Sequence, residues 1–116
     1  GDQSNDYVVF RLADAIMMRA EAAFRLGRTA DALADVNTIR KRSGVDPLTS
    51  LTAADILAER GRELAWEGWR RNDMIRFGKF STARKFMAVT DKTRELFPIP
   101  QPRRDANPLL TQNPGY

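Results

Sequence analysis

An all-α fold of antiparallel helix hairpins, finished by an extended tail packed on the helices, is what this chain of 116 residues predicts. Three observations carry it. Apolar residues recur at steps of three and four in the first 77 residues, glycines stand where those runs stop, and no stretch alternates as a strand would. The tail is set apart by its prolines, since Pro98, Pro100, Pro102, Pro108 and Pro114 are five of the six in the chain. Each removes a backbone donor and biases the preceding residue toward extended conformations.

The first hairpin is expected over about residues 9–43. Val9, Leu12, Ala13, Ile16, Ala20, Ala23, Phe24 and Gly27 fall on one face of a helix that Gly27 stops. Thr29 is placed to cap a second helix with Ala32, Leu33, Val36 and Ile39 inward. Asp31 and Asp35 lie early in it and Arg40, Lys41 and Arg42 late, as the helix dipole favours, and Gly44 ends it. So short a connection makes the two helices antiparallel. Small Ala20 and Ala32 at the crossing and Gly27 at the turn resemble a tetratricopeptide unit, a degenerate one because Ala23 stands where that repeat carries a bulky aromatic.

A charged helix pair follows over about residues 52–77. Thr52 with Asp55 forms an acidic capping box, and Leu51 with Ile56 a hydrophobic staple. The third helix is expected to reach about Gly68, and a fourth to run from Arg70 to Phe77. Residues 79–95, with Phe80, Phe86, Met87 and Val89, read as a packed loop or a ragged helix, and 96–116 as the extended tail. That tail contains Leu96, Phe97, Ile99, Leu109, Leu110 and Tyr116, too apolar for disorder.

Composition excludes much chemistry. There is no cysteine and no histidine, so thiolate metal sites, thiol nucleophiles and the commonest general base are gone. A net charge of +4 admits nucleic acid, but acids interleave the cations throughout, as on a solvated, paired surface. No run approaches the ~20 apolar residues of a spanning helix.

At about 100° per residue, Arg60 shares the side of the third helix that carries Leu57 and Leu64. Arg60, Glu63 and Glu67, continued by Arg70, Asp73 and Arg76, are therefore expected to form a partly buried structural ion network. Glu63 and Glu67 as a catalytic pair fare badly. They are neighbours on one helix, among arginines that hold both ionised, whereas hydrolytic carboxylates face each other across a cleft. No catalytic residue, metal site or cofactor is assigned. Trp66, Trp69, Phe77, Phe80, Phe86 and Tyr116 are the aromatics a sugar would use, and their helical setting favours core placement.

Arg11-Leu12-Ala13-Asp14-Ala15 with Arg19-Ala20-Glu21-Ala22, then Ala32-Leu33 to Val36-Asn37-Ile39-Arg40, precede Glu59-Arg60-Arg62-Glu63-Leu64-Ala65-Trp66-Glu67-Gly68-Arg70-Asp73-Arg76. Phe97-Pro98-Ile99-Pro100, Asn107-Pro108 and Gln112-Asn113-Pro114-Gly115-Tyr116 complete the set. In that order these blocks resemble the C-terminal part of the SusD/RagB family, from about Tyr7 onward. Gly61 and Trp69 depart from it, where family members often carry a longer polar residue and a histidine.

The resemblance implies a parent of several hundred residues. That parent would be a non-catalytic lipoprotein of the Bacteroidetes outer-membrane surface that binds glycans or other nutrients. It would work with a SusC-like TonB-dependent transporter and touch the membrane only through a lipid anchor upstream. No ligand-binding residue carries over to this segment, which would be scaffold. The tail would then be a strap in the groove of the helices bearing Arg60, Glu63 and Glu67. The alternative is a free-standing tetratricopeptide-like adaptor for a protein or peptide. A reading frame extending upstream to a signal peptide ending at cysteine separates the two.

Overall fold

The computed structural model describes residues 8–116, whose regular secondary structure is helical apart from one isolated antiparallel bridge, Arg84 to Met87. Tyr7, where the family likeness begins, lies outside the described residues. The helices are α1 (Leu12–Arg25), α2 (Thr29–Arg42), α3 (Ala53–Glu63), α4 (Arg70–Arg76) and α5 (Gln101–Ala106), with a 3-10 turn at Lys92–Glu95. The chain forms two compact units that divide after Asp73.

In the first unit, α1 and α2 form the expected hairpin, and α3 packs on it. Gly27 at φ +76° takes the left-handed conformation after α1. This lets Arg28 N–H reach the Ala23 carbonyl (2.9 Å) and Gly27 N–H the Phe24 carbonyl (3.0 Å), consuming two orphan acceptors of the last turn. Gly44 repeats the motif after α2, with Val45 N–H on the Arg40 carbonyl. The core consists of Met17, Ala20, Ala32, Val36, Ile39, Ile56 and Leu57 with their neighbours. Asn37 pins the link between α2 and α3, accepting from Leu48 N–H (2.8 Å) and donating to the Leu48 carbonyl (3.0 Å).

The helix boundaries depart from the sequence reading in three places. Val9 lies before α1, is exposed, and leads through an extended Arg11. Thr29 is the first residue of α2 and not its cap; Arg28 takes the cap position and pairs with Asp31 (2.7 Å). Thr52 does cap α3: its hydroxyl accepts from Asp55 N–H, while the Asp55 carboxylate accepts from Thr52 N–H (2.8 Å). Leu51 and Ile56, the staple pair, are both buried.

The third departure is at the end of α3, which stops at Glu63 and not near Gly68. In a continued helix the Glu63 carbonyl would accept from Glu67 N–H. Here the Arg11 guanidinium takes that carbonyl, and Glu67 N–H turns to Leu64 (3.2 Å). A side chain 52 residues away thus terminates the helix.

The second unit, Met74–Tyr116, carries polar ties between segments 13 to 20 residues apart. Its tail is not extended throughout, because Gln101–Ala106 forms a short helix with Pro102 in its first turn, where a missing N–H needs no partner. On either side the chain is extended or turned. Gln112 bonds Ile99 in both directions (2.8 and 3.0 Å), Asn113 donates to the Phe97 carbonyl (2.7 Å), and the Tyr116 hydroxyl to the Leu96 carbonyl (2.9 Å).

Candidate functional site

The densest chemistry in the first unit surrounds α3. Arg60 lies on the face of α3 that carries Ile56 and Leu57, and its side chain is only 2% exposed. Its Nε donates to Asp73 of α4 (2.8 Å) and one terminal nitrogen to Asp14 of α1 (3.0 Å), both carboxylates equally buried. Removing such groups from water costs several kcal/mol each and is offset only by close, directed pairing. One planar guanidinium therefore joins three helices.

Around it, Glu59, Glu63 and Glu67 recur every four residues, and each collects an arginine from another element. Arg40 of α2 reaches Glu59 (2.8 Å), and Arg42 reaches Glu63 (2.6 Å). Arg11 closes on both Glu67 oxygens (2.9 and 3.0 Å from Nε) and bonds the Glu63 carboxylate as well. Glu67 holds the Arg11 guanidinium above its ordinary pKa, with Glu63 adding to the effect. The same hydrogen bond from Arg11 holds the Glu67 carboxyl below the usual carboxylate range. A carboxylate so fixed has no proton to give and no free lone pair aimed at a cleft. The arrangement organises helices.

Of the six charges singled out in the sequence, Arg60 and Asp73 bond each other, and Glu63 and Glu67 share Arg11. Arg70 departs from the expected ladder: it donates to the Leu57 carbonyl (2.7 Å), crossing Gly61, where an added Cβ would lie 2.8 Å from the Arg70 Cζ. A side chain at 61 would displace the Arg70 guanidinium from this path. Arg76, at the start of the second unit, lies 5.6 Å from the Phe77 ring centre. Sequence reasoning missed Arg11, Asp14, Arg40, Arg42 and Glu59 as network members. The available signal was Asp14 adjoining the core stripe of α1, an acid at the margin of an apolar face.

Core placement of the aromatics fails for three of them, Trp66, Phe86 and Tyr116. Trp66 and Phe86 are almost wholly exposed, and both have φ +66°. They are the non-glycine residues in the left-handed region among those described, a conformation costing on the order of 1 kcal/mol or more. Trp66 rims a hollow of about 560 Å³ with Gly61, Leu64, Gly68, Arg70 and Arg71. Trp69 is half-buried against Phe10 with ring centres 5.6 Å apart, and Phe77 and Phe80 are half-buried in the second unit. Tyr116 is exposed and tied through its hydroxyl. Among the described residues no group of three or more acids is placed to hold a metal ion, and no helix is long and apolar enough to cross a membrane.

Comparison with known proteins places these features in a family. The sequence profile of the SusD family matches residues 1–116. The starch-binding protein SusD of Bacteroides thetaiotaomicron is 36% identical over 122 aligned positions, which take in 96% of this chain and 22% of that protein. SusD-like protein P38 of Formosa agariphila is 30% identical, covering 94% and 24% respectively. Among solved structures, surface glycan-binding protein A from Bacteroides uniformis superposes with a TM-score of 0.80 at 28% identity, over 94% of this chain and 28% of that one. A SusD-like protein from Bacteroides fragilis gives 0.82 at 24% identity, over 95% and 26%, a likeness of fold. The chain thus spans about a quarter of the length of the relatives it matches.

Proposed function

Because the chain belongs to the SusD family, we propose that it is the helical scaffold of a cell-surface protein that binds a glycan without transforming it. The observation that carries this reading is the 36% identity to a starch-binding protein across 96% of the chain. Within this segment the chemistry agrees: Glu59, Glu63 and Glu67 are each held by arginine. In the full-length protein the glycan would be passed to a SusC-like TonB-dependent transporter in the outer membrane, with a lipid anchor upstream of this segment holding the protein at the surface. Arg60, Glu63, Glu67, Arg70, Asp73 and Arg76 serve the scaffold and not the ligand.

Calorimetry of the full-length protein against a panel of oligosaccharides, starting with α-1,4-linked glucans, tests this. Saturable binding with the glycan recovered intact is expected. Cleavage of the glycan, or no binding across a broad glycan array, would overturn it. Trp66→Ala and Phe86→Ala in the same protein should leave the dissociation constant within about twofold, whereas loss of a stacking contact to the glycan would cost about 1 kcal/mol or more. A tenfold loss would move the ligand onto this segment.

A further inference from the structure

The interleaving of acids with cations stops at Asp73. Up to that residue the chain holds twelve acids and eleven cations, whereas the second unit holds three acids and eight cations, a net +5 against −1. Between Met74 and Thr90 there is no acid at all. The three acids beyond bond within the unit: Asp91 accepts from Thr93 N–H (2.8 Å), Glu95 from the Ser81 hydroxyl and Asp105 from the Gln101 amide (2.7 Å).

Within the acid-free stretch, residues 79–87 form a closed basic loop. The Thr82 hydroxyl donates to the Lys79 carbonyl (2.9 Å), and Arg84 donates to the Phe80 carbonyl (2.7 Å) with its guanidinium 5.7 Å from the Phe80 ring centre. Arg84 and Met87 exchange backbone N–H bonds of 2.9 Å in both directions, which makes Lys85 and Phe86 a two-residue tip. Phe86 stands there at φ +66° and 94% exposed, with the Lys85 ammonium 5.0 Å from its ring centre, and Val89 beyond it is 72% exposed. A left-handed position suits glycine or asparagine and strains phenylalanine, so the turn itself gives no reason for an apolar ring at its tip.

We propose that this loop is a contact site for an anionic lipid surface, with Phe86 and Val89 entering the headgroup boundary and Lys79, Arg84 and Lys85 facing the phosphates. Shape and charge select that occupant. The tip is convex and meets a plane, whereas a polynucleotide is held in a basic groove that tracks its backbone. A ring beside a lysine is the pairing an interface favours, because the ring leaves water while the ammonium stays among the headgroups. Each cation near an anionic leaflet strengthens partitioning about fivefold, so the excess of +5 turns this unit toward such a surface. The contact adds a second point to the upstream lipid anchor and keeps Phe86 for the membrane. It does not depend on the ligand reading.

Co-sedimentation of the full-length protein, produced without lipidation, tests it with vesicles of phosphatidylcholine alone and of phosphatidylcholine with phosphatidylglycerol. Binding to the anionic vesicles should be at least about tenfold stronger and should fall as salt rises to about 0.5 M. Phe86→Asn, which keeps a residue suited to the left-handed turn, should weaken it by about fivefold or more, and Lys79→Gln with Lys85→Gln by about twentyfold. Binding that is absent, or equal on the two vesicles, would overturn the inference. So would Phe86→Asn binding like the parent, because a merely basic surface ignores the ring. Capture by immobilised polyphosphate without vesicle binding would assign the loop to a soluble polyanion and overturn it as well. None of these outcomes bears on glycan binding, which calorimetry reads separately.

Discussion

Between Ala13 and Asp73 the chain buries a continuous apolar core together with Asp14, Glu21, Glu59, Arg60 and Asp73, whereas from Met74 to Tyr116 only Met74 and Ser81 are buried. The first unit is specified by volume and by charges that must find one another. The second is specified by hydrogen bonds from Gln112, Asn113 and Tyr116 to the backbone of residues 96–99. The two modes fail differently. A core loses several kcal/mol when a buried partner is orphaned, while each polar tie of a tail contributes about 1 kcal/mol and can be lost locally.

The largest break in that contrast is Arg60→Met, which takes a buried guanidinium away from the carboxylates of Asp14 and Asp73 and should cost about 3–5 kcal/mol in urea unfolding. A loss below 1 kcal/mol would mean that the buried pairs do not secure the first unit. Next comes Ile56→Ala, which empties a fully buried site at the base of α3; about 2–4 kcal/mol is expected by the same measurement. Thr52→Ala removes the cap of α3 for about 1 kcal/mol.

The cap also has an acid signature. Asp55 sits below the usual carboxylate range, chiefly through the Thr52 hydroxyl and then its N–H, and Glu67 does so through Arg11. A carboxyl depressed in the folded state stabilises fully above its unfolded pKa, so these contributions are complete above about pH 5 and vanish as pH falls through 4 and below. An acid titration of Thr52→Ala should accordingly fall less steeply than that of the parent chain; equal slopes would remove Asp55 from the account. Smallest is Gln112→Ala. Amide exchange at Ile99 should quicken by about tenfold, the equivalent of one net hydrogen bond, while unfolding of the first unit stays put. A shift there would erase the contrast.

What the sequence made legible was local. Gly27 and Gly44 as stops, the Thr52–Asp55 box and the Leu51–Ile56 pair are decided within six residues, and the family blocks lie in order along the chain. What escaped was decided at a distance. Arg11 finds Glu63 and Glu67 more than fifty residues away, and nothing local chooses it from 19 cations. The same contact shortened α3, a tertiary override of a good helical pattern. Leu12, expected inward, is 75% exposed; it was misplaced because Met18 and Leu26 also stand on the outer side of α1, and periodicity cannot say which side faces this core. Pro102 misled because proline forbids a helix interior yet suits a first turn.

Arg60 carries one more consequence, for how such a chain can change over generations. Its guanidinium serves Asp14 and Asp73 at once, so the three positions cannot drift independently: losing the arginine first is severe, whereas losing one acid first is milder and alters what the next step costs. Replacement of the whole trio by apolar residues of similar volume would be tolerated, even stabilising, once complete. The triad is therefore protected less by its own strength than by the depth of the valley around it.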